Sequence, residues 1–327
     1  MASIPFTKGL HALGNRHYAY LQPSGTWGYS NAGLIVDGDQ SLLVDTLFDE
    51  RLTAEMLDTM HAATRVGAGD ITQLVNTHAN GDHTFGNRLV TNARIIATEA
   101  GAHEMEEAPP ETLAALMSQT KAMGQLGAYF EAIFGSFDFA GVKLRLPDET
   151  FSGEKTIKVG DKTVELIEVG PAHTNGDALV YVPADRVLYT GDILFIEGTP
   201  IMWAGPVHNW IAACDRMLAM DVETIVPGHG PVTDKNGVRA MRSYLVYVEE
   251  QARKRHAAGM DSWEAAQDIA LAGFGAWEDP ERLAVTVDTI YRELNADQSP
   301  RDIRVLFGRM AKLDLRYTPQ RTGHAHH

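Results

Sequence analysis

Two short apolar runs, GLIV and SLLV, flank a Gly-Asp turn in residues 33–46 (GLIVDGDQSLLVDT), the pattern of two paired strands. Residues 49–64 (DERLTAEMLDTMHAAT) then place Leu, Met and Ala at helical intervals, which predicts an amphipathic helix. ITQLVNT (71–77) reads as a third strand, TFGNRLV (84–90) as a helix start and ARIIAT (93–98) as a fourth strand, giving the order β-β-α-β-α-β.

From about 110 to 134 a Met- and Ala-rich stretch, ETLAALMSQTKAMGQLGAYFEAIF, interrupts the alternation and reads as one or two inserted helices. Its aromatic end, Tyr129, Phe130 and Phe134, makes it a candidate lid as well as a packed layer. Strands resume at 155–159, 163–169, 177–182 and 186–190, and ETIVPGH (223–229) closes the β pattern. Beyond Pro231 the periodicity is helical, with candidates at 238–257, 262–272, 280–294 and 300–312, where Pro280 and Pro300 suit first-turn positions. The expected organisation is therefore a mixed unit over 1–235, a helical extension packed on it over 236–318, and a flexible tail over 319–327. The three His of that tail are left out of the candidate site, because a mobile His cluster captures adventitious metal.

Composition adds exclusions. The chain has 327 residues, 44% hydrophobic and 22% charged, and no apolar run long enough for a membrane span, for which ~18 residues are needed. The N-terminus MASIPFTKGLHALG lacks the apolar core of a secretory signal, so a cytoplasmic home is expected. A single cysteine, Cys214, rules out an internal disulfide and sits in the helix-like stretch WIAACDRML, where packing is its expected role. The net charge of -15, without a basic block, argues against a nucleic-acid partner.

The chemistry concentrates at predicted strand ends. THANGDH (77–83) holds His78, Asn80, Asp82 and His83; GPAH ends at His173, YTGD at Asp192, and PGHG contains His229. In layered α/β folds strand ends share one rim, and His and Asp are ligands that zinc and related cations accept. Four separated segments carrying such residues predict a metal site, whereas His11, His17, His61, His103 and His256 are read as structural.

In this order (HxxxDH, a later His, GD and GHG) the chain resembles the metallo-β-lactamase superfamily over about residues 17–235. The resemblance implies an α+β fold, a four-layer αβ/βα sandwich, with the C-terminal helices as an addition. It also implies that His78, Asn80 and His173 hold a first metal, Asp82, His83 and His229 a second, and that Asp192 bridges them. Zn2+, as one or two ions, is the expected cofactor, with Mn2+ or Fe as alternatives. Asn80 departs from the family pattern, which usually has His there; a neutral amide oxygen binds zinc less well than imidazole, so unequal sites are expected.

The implied activity is hydrolysis of an ester, thioester, lactone or amide of a small molecule by metal-bound hydroxide. The cation lowers the pKa of water from 15.7 to about 7, and Asp82 is positioned as ligand and proton carrier. The stretches YLQPSGTWGYSNAGLIV (20–36), TGDILF (190–195) and TPIMWAGPVHNWIAACDRML (199–218) resemble hydrolases of the branch that includes polyketide cyclase-thioesterases. A non-catalytic binding or regulatory protein with a degenerate metal site is the reading from another class. Supporting roles fall to Asp45, Thr174 and Asp177 as partners of the ligands, and to Trp27, Tyr29, Trp203, His208 and Trp210 as substrate contacts, which would imply an apolar or aromatic substrate. The aromatic residues of the C-terminal helices also offer a surface for a homodimer.

Overall fold

Alternation with period two builds two sheets that face one another. In the computed structural model, which describes residues 4–23 and 27–322 with side chains to residue 317, the first sheet has seven strands. They are β1 (Gly9–Gly14), β2 (His17–Leu21), β3 (Ala32–Asp37), β4 (Gln40–Val44), β5 (Gln73–Val75), β6 (Arg94–Thr98) and β7 (Glu149–Phe151), in that order across the sheet. The second sheet runs β12-β11-β10-β9-β8, from strands at Glu154–Val159 (β8), Lys162–Glu168 (β9), Ala178–Val182 (β10), Val187–Tyr189 (β11) and Thr224–Val226 (β12).

Neighbouring side chains on a strand enter different cores. Ile35 joins Val44, Val75, Leu166 and Val180 in the layer between the sheets. Leu34 and Val36 point outward into a second cluster with Leu52, Met56 and Met60 of α1 (Glu50–Thr64). On the far face α6 (Val207–Ala219) buries Trp210, Ala213, Cys214 and Met217. The result is the expected helix-sheet-sheet-helix sandwich. Between these lie α2 (Gly81–Thr84), α3 (Glu99–Glu107), α4 (Pro110–Met117) and α5 (Gly124–Phe134).

The pattern missed three strands and a helix. β1 and β2 meet at Asn15 and Arg16, both at positive φ, and the register shifts between Ala12 and Gly14, so neither the turn residues nor the alternation is ordinary. β7 has only three residues, too short for any periodicity, and α3 follows β6 without a turn signal. Pro280 opens a 3-10 turn at Pro280–Arg282, as expected of a first-turn proline. Pro300 does not start its helix. Asp302 receives the amides of Arg304 and Val305 and begins α10 (Ile303–Thr322) instead.

The C-terminal helices α7 (Lys235–Ala257), α8 (Ser262–Asp268), α9 (Leu283–Leu294) and α10 share one continuous apolar cluster with the sandwich. No helix among the described residues is long and apolar enough to cross a membrane. The tail histidines lie outside the described residues.

One polar strut crosses these parts. Glu281, 2% exposed, accepts from Trp27 Nε1 and from the Tyr129 hydroxyl, both at 3.1 Å, while its Oε2 has no hydrogen-bond partner among the described residues. Burial, with the neighbouring Asp279 charge, pushes its carboxyl up from 4.5 to about 7. The folded chain therefore holds a proton that the unfolded chain releases near 4.5, and the associated stability is lost as pH rises towards about 7. Glu281→Gln keeps an acceptor and removes the buried charge. Thermal melts should show the variant gaining on the wild type at pH 8 relative to pH 5; an equal difference at both pH values would contradict this.

Candidate metal centre

Parallel pairing brings the chemistry to one rim. β4 pairs with β5 and β11 with β12, both in parallel, so Asp45, His78, Asp192 and His229 all follow the C-terminal ends of strands. Two glycines allow the backbones to close up. A Cβ on Gly228 would lie 2.0 Å from Asp192 Oδ1, and one on Gly191, at φ +49°, would lie 2.2 Å from Thr77 Oγ1. Asn31, which no sequence motif marks, ties this rim across the sheets through Nδ2, donating to Pro227 O (3.0 Å) and Gly230 O (2.8 Å).

Each of the four predicted histidines has its Nδ1 engaged and its Nε2 turned to the centre. His83 Nδ1 donates to Asp45 Oδ2 at 2.9 Å, and His173 Nδ1 to Ile201 O at 2.6 Å. His78 Nδ1 lies 3.0 Å from Thr77 Oγ1, which itself donates to Asp45 Oδ2 at 2.7 Å; His229 Nδ1 lies 3.2 Å from Tyr29 O. Fixing one ring nitrogen in this way selects the tautomer and aim of the other.

The free nitrogens converge on Asp192. Its carboxylate oxygens lie 3.0 Å from His83 Nε2, 3.3 Å from His173 Nε2, 3.4 Å from His229 Nε2 and 3.7 Å from His78 Nε2. Asp82 lies 3.3 Å from His229 Nε2 and 3.8 Å from His83 Nε2. Within this group His78 Nε2, His83 Nε2 and Asp192 Oδ1 are buried without a hydrogen-bond partner among the described residues. Such atoms are costly unless something satisfies them, and a cation would do so for all three at once. His78, His83 and Asp192 form one group with metal-ligating reach, and Asp82, His83 and His229 another.

Asn80 joins the same cluster, with Oδ1 2.7 Å from His173 Nε2. His173 commits its Nδ1 proton to Ile201, and burial lowers its pKa against the raising effect of Asp192, so the ring is neutral and Nε2 presents a lone pair. Two lone pairs at that distance repel unless a cation lies against both or the amide turns to present its NH2.

The electrostatics divide the cluster. Burial, followed by the charge of His83, pushes His78 well below its ordinary value. Burial also opposes charge on His83 and His229, yet Asp192 and Asp82 outweigh it, raising His83 well above its usual range and His229 to about 9. Asp82 is held at about 2, its burial overcome by His83 and His229, and Asp192 lies well below the carboxylate range for the same reason.

The supporting assignments divide too. Asp45 contacts two of the candidate ligands, accepting from His83 directly and reaching His78 through Thr77. Asp177 does not reach His173; its carboxylate closes its own loop by accepting from the Thr174 amide (2.9 Å) and hydroxyl (2.8 Å), and Thr174 is thereby committed to Asp177. Burial pushes Asp177 up to about 8. Ile201 O, which no sequence motif marks, takes the role expected of Asp177.

A cavity of about 710 Å³ opens over the cluster, and Trp27 and Trp203 line it with Phe48, Phe85, Phe134 and Phe307. Tyr29 packs its ring at a tilt against Phe137 and meets the cluster through its carbonyl instead. His208 is exposed on the first turn of α6, beside Glu293, and Trp210 is buried with its Nε1 on Ile193 O; neither lines the cavity. The inserted helices contribute Thr112, Leu113, Leu116 and Phe134, and the C-terminal segment Arg282, Arg301, Ile303 and Phe307.

Comparisons with known proteins accord with this geometry. The chain is 24% identical over 242 residues to the 2,4-dinitroanisole O-demethylase subunit alpha of Nocardioides sp. (strain JS1661), covering 71% of this chain and 57% of that protein. It is 25% identical over 194 residues to the hydroxyacylglutathione hydrolase of Erythrobacter litoralis (strain HTCC2594), covering 57% and 61%. Among solved structures, the stereoselective inverting sec-alkylsulfatase Pisa1 from Pseudomonas sp. superposes with a TM-score of 0.66 at 14% identity, over 90% of this chain and 52% of that one. A metallo-beta-lactamase from Pontibacter korlensis gives 0.54 at 18% identity, over 73% and 99%. The chain thus spans less than two thirds of the length of these two curated relatives. The family model for the metallo-beta-lactamase superfamily matches residues 25–229, which include every candidate ligand and most of the chain, and the chain belongs to that superfamily.

Proposed function

We propose that this chain is a metal-dependent hydrolase that cleaves an ester, thioester, lactone or amide bond in a small molecule with an apolar or aromatic body. The observation that carries the reading is the convergence of four Nε2 atoms and two carboxylates beneath an aromatic-lined cavity. His78, Asn80 and His173 would hold one dication and Asp82, His83 and His229 a second, with Asp192 between them. Nitrogen and carboxylate donors suit zinc, with manganese or iron as alternatives. A dication there supplies Lewis acidity, lowering the pKa of bound water from 15.7 to about 7 and polarising a carbonyl oxygen.

The protein's own groups do the rest. Asp82 lines the cavity and is held ionised at about 2, so it stands as acceptor for the proton of the attacking water and as donor to the leaving group. The ring-lined wall excludes water and takes the substrate body; the aromatic polyketide acyl groups implied by the sequence resemblance are one such body. Relatives named as hydroxyacylglutathione hydrolases support hydrolysis in general, and the demethylase and sulfatase names show how widely substrates differ on this fold.

Asn80 favours a second reading, a binding protein whose first site is degenerate, because its amide is a weaker ligand than imidazole. Two measurements separate the readings. Chelator treatment should abolish turnover across a panel of p-nitrophenyl esters, thioesters and lactones, and zinc or manganese should restore it; undiminished turnover in metal-free protein would refute the hydrolase mechanism. Metal analysis should find the first site only partly filled in wild type and fuller in Asn80→His, whereas two tightly held equivalents in both proteins would contradict unequal sites.

A further inference from the structure

One histidine of the cluster is held by a different part of the chain from the other three. His83 and His78 depend on Asp45 and Thr77, and His229 on the Tyr29 carbonyl, all within the sandwich. His173 depends on the segment 199–205, which contains no helix or strand. That segment grips it from three directions: Ile201 O accepts from Nδ1 at 2.6 Å, and the amides of Trp203 and Ala204 donate to the His173 carbonyl at 2.8 and 3.1 Å.

On its other side the carbonyls of this segment accept hydrogen bonds from the C-terminal helical region. Four side chains donate to successive parts of its backbone: Arg282 Nη1 to Thr199 O (3.2 Å), Thr286 Oγ1 to Pro200 O (3.3 Å), Thr289 Oγ1 to Met202 O (2.6 Å) and Arg301 Nη1 to Trp203 O (2.6 Å). Thr286 and Thr289 are buried at 1% and 2% exposure, where water cannot replace a lost donor and an orphaned carbonyl is costly. All four donors lie beyond residue 229, where the match to the family model ends.

We infer that the segment from Arg282 to Arg301 is a strap that positions His173, so that the His78-Asn80-His173 half of the metal centre is completed by the C-terminal helices while the Asp82-His83-His229 half is not. Thr289 and Arg301 are positioning residues: they touch neither ligand atoms nor metal, and act through the carbonyls of residues 202 and 203 on the ring clamped by Ile201. The hydroxyl of Thr289 also lies 3.0 Å from Val285 O within its own helix; its single proton has the nearer acceptor in Met202 O at 2.6 Å, and the backbone hydrogen bonds of α9 do not depend on it.

The inference rests on the metal-centre reading for one arm of its test and is independent of it in the other. Metal-free full-length protein is titrated with zinc against a chromophoric chelator, comparing wild type with Thr289→Val/Arg301→Gln. The weaker equivalent should loosen by about tenfold, the scale seen when an outer hydrogen-bond partner of a ligand is lost, and the tighter one should not move. Thr289→Ser, which keeps the donor, should behave as wild type. Unchanged affinities in the double variant, or equal weakening of both equivalents, would overturn the strap.

In the second arm, 15N-histidine-labelled metal-free protein should show a slowly exchanging His173 Nδ1–H, bonded to Ile201, that is lost to rapid exchange in the variant; its persistence there would overturn the inference. Wild type that binds no zinc would defeat the metal reading alone, and this second arm would then decide for or against the strap. If the double variant does not fold, Thr289→Val alone carries both arms.

Discussion

Asp45 is the constraint on which the candidate site depends. Its carboxylate, 2% exposed at the end of β4, accepts from the Thr77 amide (2.7 Å), the Thr77 hydroxyl (2.7 Å) and His83 Nδ1 (2.9 Å). One buried acid thereby fixes the end of β5, the ring of His83 and, through Thr77, the ring of His78. Burial raises its own pKa, against the opposing charge of His83, and the backbone carries it at φ +63°, a conformation that a non-glycine residue rarely adopts. Burying a charge without partners would cost several kcal/mol, about the loss expected when one member of a buried pair is removed, so the three donors and the strained backbone belong to one arrangement.

Much of this centre was legible in the sequence because its residues are of a type and order that few other roles require. Six strand-end groups, His78, Asp82, His83, His173, Asp192 and His229, are brought together, and Asn80 with them. What the sequence hid is the layer that acts through backbone. Ile201 and Tyr29 contribute carbonyl oxygens, which every residue possesses, and so leave no compositional trace. Asp177 misled for the opposite reason: a carboxylate four residues after a ligand suits a supporting role, but its own turn engages it first. The fold was legible where alternation was clean, and failed at β1 and β2, where a bulge and two positive-φ residues break the pattern.

The cavity is a composite. Its rings come from the segment after β2 (Trp27), from Phe48 and Phe85 beside the cluster, from the inserted helices (Phe134), from the segment that clamps His173 (Trp203) and from the C-terminal region (Phe307). Glu281 ties three of those parts through Trp27 and Tyr129, and Arg282 stacks 4.4 Å from the Trp27 ring. The same C-terminal region thus supplies one wall of the cavity and the donors that hold segment 199–205.

Anomalous diffraction from crystals grown with zinc, recorded on both sides of the zinc absorption edge, addresses the centre without reference to any substrate. The account predicts a strong peak within coordination distance of Asp82, His83, His229 and Asp192, and a weaker one bounded by His78, Asn80 and His173. A map with zinc bound elsewhere on the surface and no peak among these residues would contradict it.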